Sequence, residues 1–392
     1  MGDTALSTAE ALAYAYTGGN GYAYAYTGGN AYAYSGPMES YGFDGFPGNP
    51  MLATGLLSTR AAIRRDIFNP VLDGLRDVGT LRIFGDAVNR LPATESAADI
   101  GRYGSQVRTS MALLELMSSV SFAFDPNTRF AGLWGSWQNG NQVALSPLVT
   151  MRRPSRNYFN AQLRMVDSWS PTRDSRLPEI LTQVAPPLAY FASIMNLQNG
   201  RHRHTLELIK TSLQFGYAIC MRFKHALACP RPSEYSAALL PVLEVPPHRT
   251  LPAGHAHEAH ITATLLSELA GFAAATEPHR ALRRLAHRIA ENRVVAGLHF
   301  PIDNIAGRLM GDALADYLLA AAGQRNVWTG GSFDGEGLAA GAAAEDELRD
   351  EDSSADSRAA CNGCGALVPA AAAPPLPIFQ QLWVNARAEW DR

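Results

Sequence analysis

The strongest constraint on this chain is a set of long apolar-periodic segments cut by proline and glycine. Leu177–Leu197, Arg203–Ala228, Ala256–Ala275, Arg280–Ala296 and Ile302–Ala322 all carry the three-to-four-residue spacing of amphipathic helices. Between them stand Pro230-Arg231-Pro232, Pro252-Ala253-Gly254 and Phe300-Pro301, and proline neither continues a helix nor leaves the preceding residue free to be helical. Sustained strand alternation is missing from this half. An all-α helical bundle with functional loops at its helix ends is therefore expected.

The remainder of the chain divides by composition. Residues 1–36 repeat AYAYTGGN at Ala13–Asn20 and Ala23–Asn30. This reads as a flexible low-complexity arm, or as a Tyr-laddered hairpin through which the chain would form a homo-oligomer. Residues 37–59 are a Gly/Pro/Met-rich linker. Helical spacing starts near Thr59, with Ile63 and Ile67, then Leu72 and Leu75 beyond Pro70, and returns at Val107–Phe122. Residues 126–175, with Trp134, Trp137, Gly, Asn and Pro, read as an irregular connection. Residues 60–325 form the expected helical domain, and 326–392 a mostly disordered acidic Ala/Gly-rich tail. Within that tail, Phe379–Trp390 is apolar enough to dock back or to bind a partner. Cys361 and Cys364 make a lone CxxC without a second ligand pair, expected to be incidental thiols.

Bulk chemistry excludes several classes. A formal charge of −3 gives no basic excess for nucleic acid. No apolar run reaches the roughly 18–20 residues of a membrane span. No basic-then-apolar leader stands at Met1, so a cytoplasmic location is expected. Cationic sites must then be local.

Three blocks build such a site. Lys224 lies near a helix end, and Arg231 sits on extended backbone between two prolines. Its planar guanidinium suits a tetrahedral oxyanion through paired hydrogen bonds. Gly254 and His255 open a helix whose first N–H groups have no internal acceptor and whose dipole favours an anion. A histidine at that mouth, His255, is expected to move a proton near neutral pH. Arg293 and His299 follow, and Asp303, four residues beyond His299, can hold one imidazole nitrogen. Alone, the first block is more often a solvated face and the second a plain helix cap, while the third is as often structural as functional.

Together, K-x6-RP, P-x-GH and R-x5-H-x3-D resemble the superfamily uniting type-2 phosphatidic acid phosphatases, bacterial acid phosphatases and vanadium-dependent haloperoxidases. The resemblance runs from Lys224 to Asp303 and extends over the helical region from about 60 to 325. It implies an all-α bundle with the oxyanion at one end. It implies that Lys224, Arg231, Arg293 and the Gly254 amide bind vanadate, or phosphate in a phosphatase. His299 would be the metal ligand or phosphorylated nucleophile, His255 the acid–base residue and Asp303 the partner of His299. Ala253 and Asn292 depart from the pattern, where serine is usual. His248, seven residues before His255, matches a second histidine that vanadium bromoperoxidases carry beside the cofactor. Met221 stands where several haloperoxidases place a tryptophan. The expected activity is halide (bromide or iodide) oxidation by hydrogen peroxide, with phosphomonoester hydrolysis as the alternative. A non-catalytic oxyanion-binding or assembly protein is the alternative of another class. His255, His257, Glu258 and His260 also offer an H-x-HE-x-H cluster of the kind divalent metals use.

Overall fold

The computed structural model describes residues 94–139, 142–184, 188–274, 276–335, 363–367 and 374–391. The Tyr-rich arm, the linker and the Thr59–Leu75 helical pattern lie outside them, as does Cys361. Met1–Gly104 and Ser105–Arg392 form separate units. In the first, Ala97–Arg102 is a short 3-10 helix. The second carries every residue discussed below.

Its helices are α1 (Ser105–Ser118), α2 (Arg156–Ser168), α3 (Arg173–Thr182), α4 (Leu188–Met195), α5 (Arg203–Leu227), α6 (Gly254–Ala270), α7 (Glu277–Val295), α8 (Pro301–Ala321) and α9 (Pro377–Arg387), with a single helical turn at Pro232–Tyr235. The expected Leu177–Leu197 helix is instead two, α3 and α4, on either side of Pro186 and Pro187. No helix among the described residues is long and apolar enough to cross a membrane.

The all-α expectation is corrected by a five-stranded mixed sheet. Strands β1 (Val120–Asp125), β2 (Phe130–Asn139), β3 (Gln142–Arg152), β4 (Gly330–Asp334) and β5 (Cys364–Leu367) follow one another in sheet order. β3 and β4 are parallel, and the other neighbouring pairs are antiparallel. The physical reason lies in the Trp- and Gly-rich stretch whose composition predicts an irregular connection. A Cβ at Gly135 would stand 2.7 Å from the ring of Trp328, so this strand glycine makes room for an aromatic side chain. Pairing of Asn139 with Gln142 leaves Gly140-Asn141 between β2 and β3, a two-residue hairpin signal. Two of the strands lie in the acidic, Gly/Ala-rich region after residue 325. Cys364, expected to be an incidental thiol, is disulfide-bonded.

α6 is the central element, against α5, α7 and α8. Its close approach to α8 depends on two glycines. A Cβ at Gly307 would lie 2.6 Å from the Ala253 carbonyl oxygen, and one at Gly311 would lie 2.8 Å from that of His257. The two backbones can meet at that separation only without side chains. α9 docks on α1 and α5 and buries Phe379, Leu382, Trp383 and Ala386. Each large apolar side chain buried this way contributes about 1.5–3 kcal/mol. Glu115 accepts from the first free amides of α9, those of Ile378 and Phe379.

Candidate functional site

The site forms where α5 and α7 end and α6 and α8 begin. Lys224 occupies the last turn of α5, which closes on Ala228 in the left-handed region. Arg231 follows on extended backbone, φ −75° and ψ 158°, as its flanking prolines require. Glu234 fixes that backbone by accepting from the Arg231 amide at 2.8 Å. α7 ends through Gly297, at φ +79°, which lets the Leu298 amide turn back to the Arg293 carbonyl. Pro301 then opens α8, leaving His299 between the two helices.

His299 is the best-defined group. Arg231 Nη1 lies 3.1 Å from His299 Nε2. A guanidinium only donates, so Nε2 is the acceptor and Nδ1 carries the proton. That Nδ1–H faces Asp303 Oδ2 at 3.0 Å, with Thr250 Oγ1 also at 3.1 Å. Asp303 Oδ2 further accepts from the Phe300 amide at 2.9 Å and from the Thr250 hydroxyl. Burial holds His299 well below the usual imidazole range, and the Arg231 and Lys224 charges lower it further. Burial pushes Asp303 up to about 6, against the hydrogen bonds that stabilise its anion. The expected role of Asp303 in orienting His299 therefore corresponds to a direct contact.

His248 is half-buried. Its Nδ1 accepts from Arg231 Nη2 at 3.0 Å, so its proton is on Nε2. Burial, followed by the Lys224 and Arg231 charges, lowers its pKa to about 4. Arg231 Nε also donates to the His248 carbonyl and Nη1 to that of Leu298. Lys224 is buried, and its ammonium donates to the carbonyls of Arg249 (2.9 Å) and Thr250 (2.7 Å). Burial lowers Lys224 to about 8.

The remaining residues gather around Gln183, at the end of α3. Arg293 Nη2 donates to the Ile180 carbonyl and to Gln183 Oε1. His255 Nε2–H donates to the Gln183 carbonyl at 2.6 Å, and burial followed by the Arg293 charge lowers His255 to about 3. The expected acid–base histidine is thus neutral and already committed as a donor. Asn292, one of the two departures from serine, is a strut. Its Nδ2 donates to Glu179 Oε2 and Gln183 Oε1, while its Oδ1 accepts from Arg176. Thr250 and Gln183 carry no sequence signal of their own, because the partners of their side chains are 49 or more residues away.

The arrangement fits a tetrahedral oxyanion such as vanadate or phosphate. The buried Lys224 ammonium has carbonyl partners and, among the described residues, no carboxylate within 4 Å. A Cβ built on Gly254 would meet no atom within 4 Å, so the first turn of α6 opens onto free space. Gly254 stands at the helix mouth, where amides lack internal acceptors. Lys224, Arg231, Arg293 and the Gly254 amide would hold such a group, with His299 Nε2 as its ligand atom.

The H-x-HE-x-H cluster does not converge. His257 Nδ1 faces the Ala253 carbonyl at 3.4 Å, whereas His260 faces Asp312 at 3.7 Å. Among the described residues no group of three metal-ligating side chains comes together. Compared with known protein families and curated proteins, the chain matches none.

Proposed function

We propose that this helix-end cluster is a histidine-centred oxyanion site of the kind that vanadium-dependent haloperoxidases and type-2 phosphatidic acid phosphatases share. We propose further that the chain uses it with vanadate to oxidise bromide or iodide by hydrogen peroxide. The observation that carries the reading is the contact set of His299: Nε2 is an unprotonated acceptor facing Arg231, and Nδ1–H is held by Asp303. Ligation to a metal and nucleophilic attack both need that tautomer.

Vanadate, when bound, supplies Lewis acidity that activates the oxidant toward halide. The protein's own part is binding and proton control. Lys224, Arg231 and Arg293 neutralise oxyanion charge in a site that is largely shielded from water. The Gly254 amide adds a donor at the mouth of α6. Asp303 keeps the proton on Nδ1 and so keeps Nε2 unprotonated. His248, on the Nη2 side of Arg231, and His255, on the Gln183 side, hold protons on Nε2.

Phosphomonoester hydrolysis through a phosphohistidine at His299 is the second reading. Met221 favours it, because this half-buried side chain stands where an aromatic wall would line a halide site. Against it, a phosphatase must protonate its leaving alkoxide, and a His255 lowered to about 3 is a poor acid at neutral pH.

The test is a paired assay on full-length protein: bromination with orthovanadate, peroxide and bromide, and phosphate release from an aryl phosphate. Wild type is expected to brominate, His299→Ala to lose all turnover, and Asp303→Asn to keep a reduced rate, because orientation rather than the ligand is lost. Vanadate-dependent bromination surviving in His299→Ala would defeat the assignment. Phosphate release without bromination would give the site to the phosphatase reading, and oxyanion binding without either activity to a non-catalytic binding protein.

A further inference from the structure

We infer that Gln183 is an oxyanion-binding residue, its side-chain Nε2–H donating the hydrogen bond that Ala253 cannot. The inference rests on the oxyanion-site reading above and extends it to a residue outside the three sequence blocks.

The orientation of the Gln183 amide is fixed by groups that cannot exchange roles. Arg176 Nη1 is an obligate donor and lies 3.0 Å from the Asn292 carboxamide, so the atom facing it is Oδ1. Asn292 Nδ2 then points at Glu179 Oε2 (2.8 Å), an obligate acceptor, and at Gln183 (3.0 Å). Arg293 Nη2 also points at Gln183, at 3.2 Å. Two donors converge on one atom of the Gln183 amide, which must be Oε1. Nε2 and its two protons therefore face away from both.

Gln183 is fully buried, and its Nε2 has no hydrogen-bond partner among the described residues. Buried amide donors are normally satisfied, and an exception calls for a partner. The surroundings of this one identify the partner's chemistry. Gln183 binds Arg293 through its side chain and His255 through its carbonyl, so it lies between two residues of the site. An amide N–H beside a buried guanidinium suits an anionic oxygen. The departures at Ala253 and Asn292 are then linked: a hydroxyl is missing at the mouth of α6, and Asn292 pins a carboxamide that supplies another donor.

Two measurements on the full-length protein test this. Gln183→Glu keeps the acceptor for Arg293 and Asn292, and so keeps the helix contacts, but removes the donor. Orthovanadate and phosphate affinity, measured by calorimetry, should fall by at least about 10- to 100-fold, the worth of a charge-assisted hydrogen bond. In wild type with 15N-labelled glutamine, the Gln183 side-chain amide resonance should shift on saturation with vanadate and its protons should exchange more slowly. That second readout separates contact from simple charge repulsion and needs no variant to fold. An unmoved Gln183 amide resonance at saturating vanadate, or undiminished affinity in Gln183→Glu, overturns this inference and leaves the site standing. Failure of wild type to bind either anion overturns the site and the inference together.

Discussion

α6 touches two buried cationic clusters, and they are satisfied in opposite ways. On the α7–α8 side, Arg283 meets Asp312 through two hydrogen bonds, 2.5 and 2.9 Å long. Burial would raise Asp312, yet the Arg283 charge and hydrogen bond hold it far below the usual carboxylate range. At the mouth of α6, Lys224 is at least as buried but is met by carbonyl dipoles, and burial lowers it toward neutrality. A charge inside a protein is stable when an opposite charge is built in beside it. The first cluster contains its own anion, so removing either partner would leave the other charge buried alone. In the second, the buried carboxylate Asp303 is engaged with His299 and Thr250, and on the proposed reading a further anion comes from outside; that difference would separate a structural ion pair from a binding site.

The largest expected effect breaks the comparison directly. Asp312→Ala leaves Arg283 buried without its partner and should cost about 3–5 kcal/mol of stability. Lys224→Met removes a buried charge along with two hydrogen bonds to carbonyls, and should change stability by less than about 2 kcal/mol in either direction. Denaturant unfolding of the two variants checks this; equal losses would show that both clusters are structural.

Affinity should divide the other way. Arg293→Ala is expected to weaken orthovanadate and phosphate binding by about 2–4 kcal/mol, since one of three cations is lost from a largely dry pocket. Arg283→Ala, measured calorimetrically in folded protein, should leave that affinity near wild type. Unchanged vanadate affinity in Arg293→Ala would remove it from the site.

A pH titration sharpens the contrast. Lys224 is lowered to about 8 without an anion, and a bound oxyanion would raise it again. Binding therefore takes up a proton above pH 8, and phosphate affinity should fall as pH rises beyond that point, by up to about tenfold per unit. The slope should vanish in Lys224→Met. A wild-type slope that persists in that variant would assign the proton elsewhere.

The smallest effect concerns the missing hydroxyl. Ala253→Ser should tighten oxyanion binding, but by less than the roughly tenfold worth of one uncompensated hydrogen bond, because Gln183 already contributes a donor. A full tenfold gain, measured by calorimetry, would mean that the Gln183 amide does not reach the anion.

Much of the site was legible in the sequence because its signals are local. Prolines flanking Arg231 require extended backbone, Gly297 and Pro301 bracket a helix break, and His299 and Asp303 stand one helical turn apart. The sheet was not legible. Glycine, tryptophan and asparagine in β2 resemble loop composition until their partners are known, and β4 and β5 lie within a region of acidic, small-residue composition. Pro186 and Pro187 did mark a break, yet the surrounding periodicity masked it.

The sequence by itself determined where helices stop and which cations, histidines and carboxylate stand at their ends, because backbone restriction and helical spacing act over a few residues. Only the tertiary structure decided which nitrogen of His299 is unprotonated, that His255 donates a hydrogen bond to the Gln183 carbonyl, and that Asn292 pins the Gln183 amide. Those outcomes depend on contacts between groups 68, 72 and 109 residues apart, and no local pattern encodes which distant donor will face which acceptor once the helices pack.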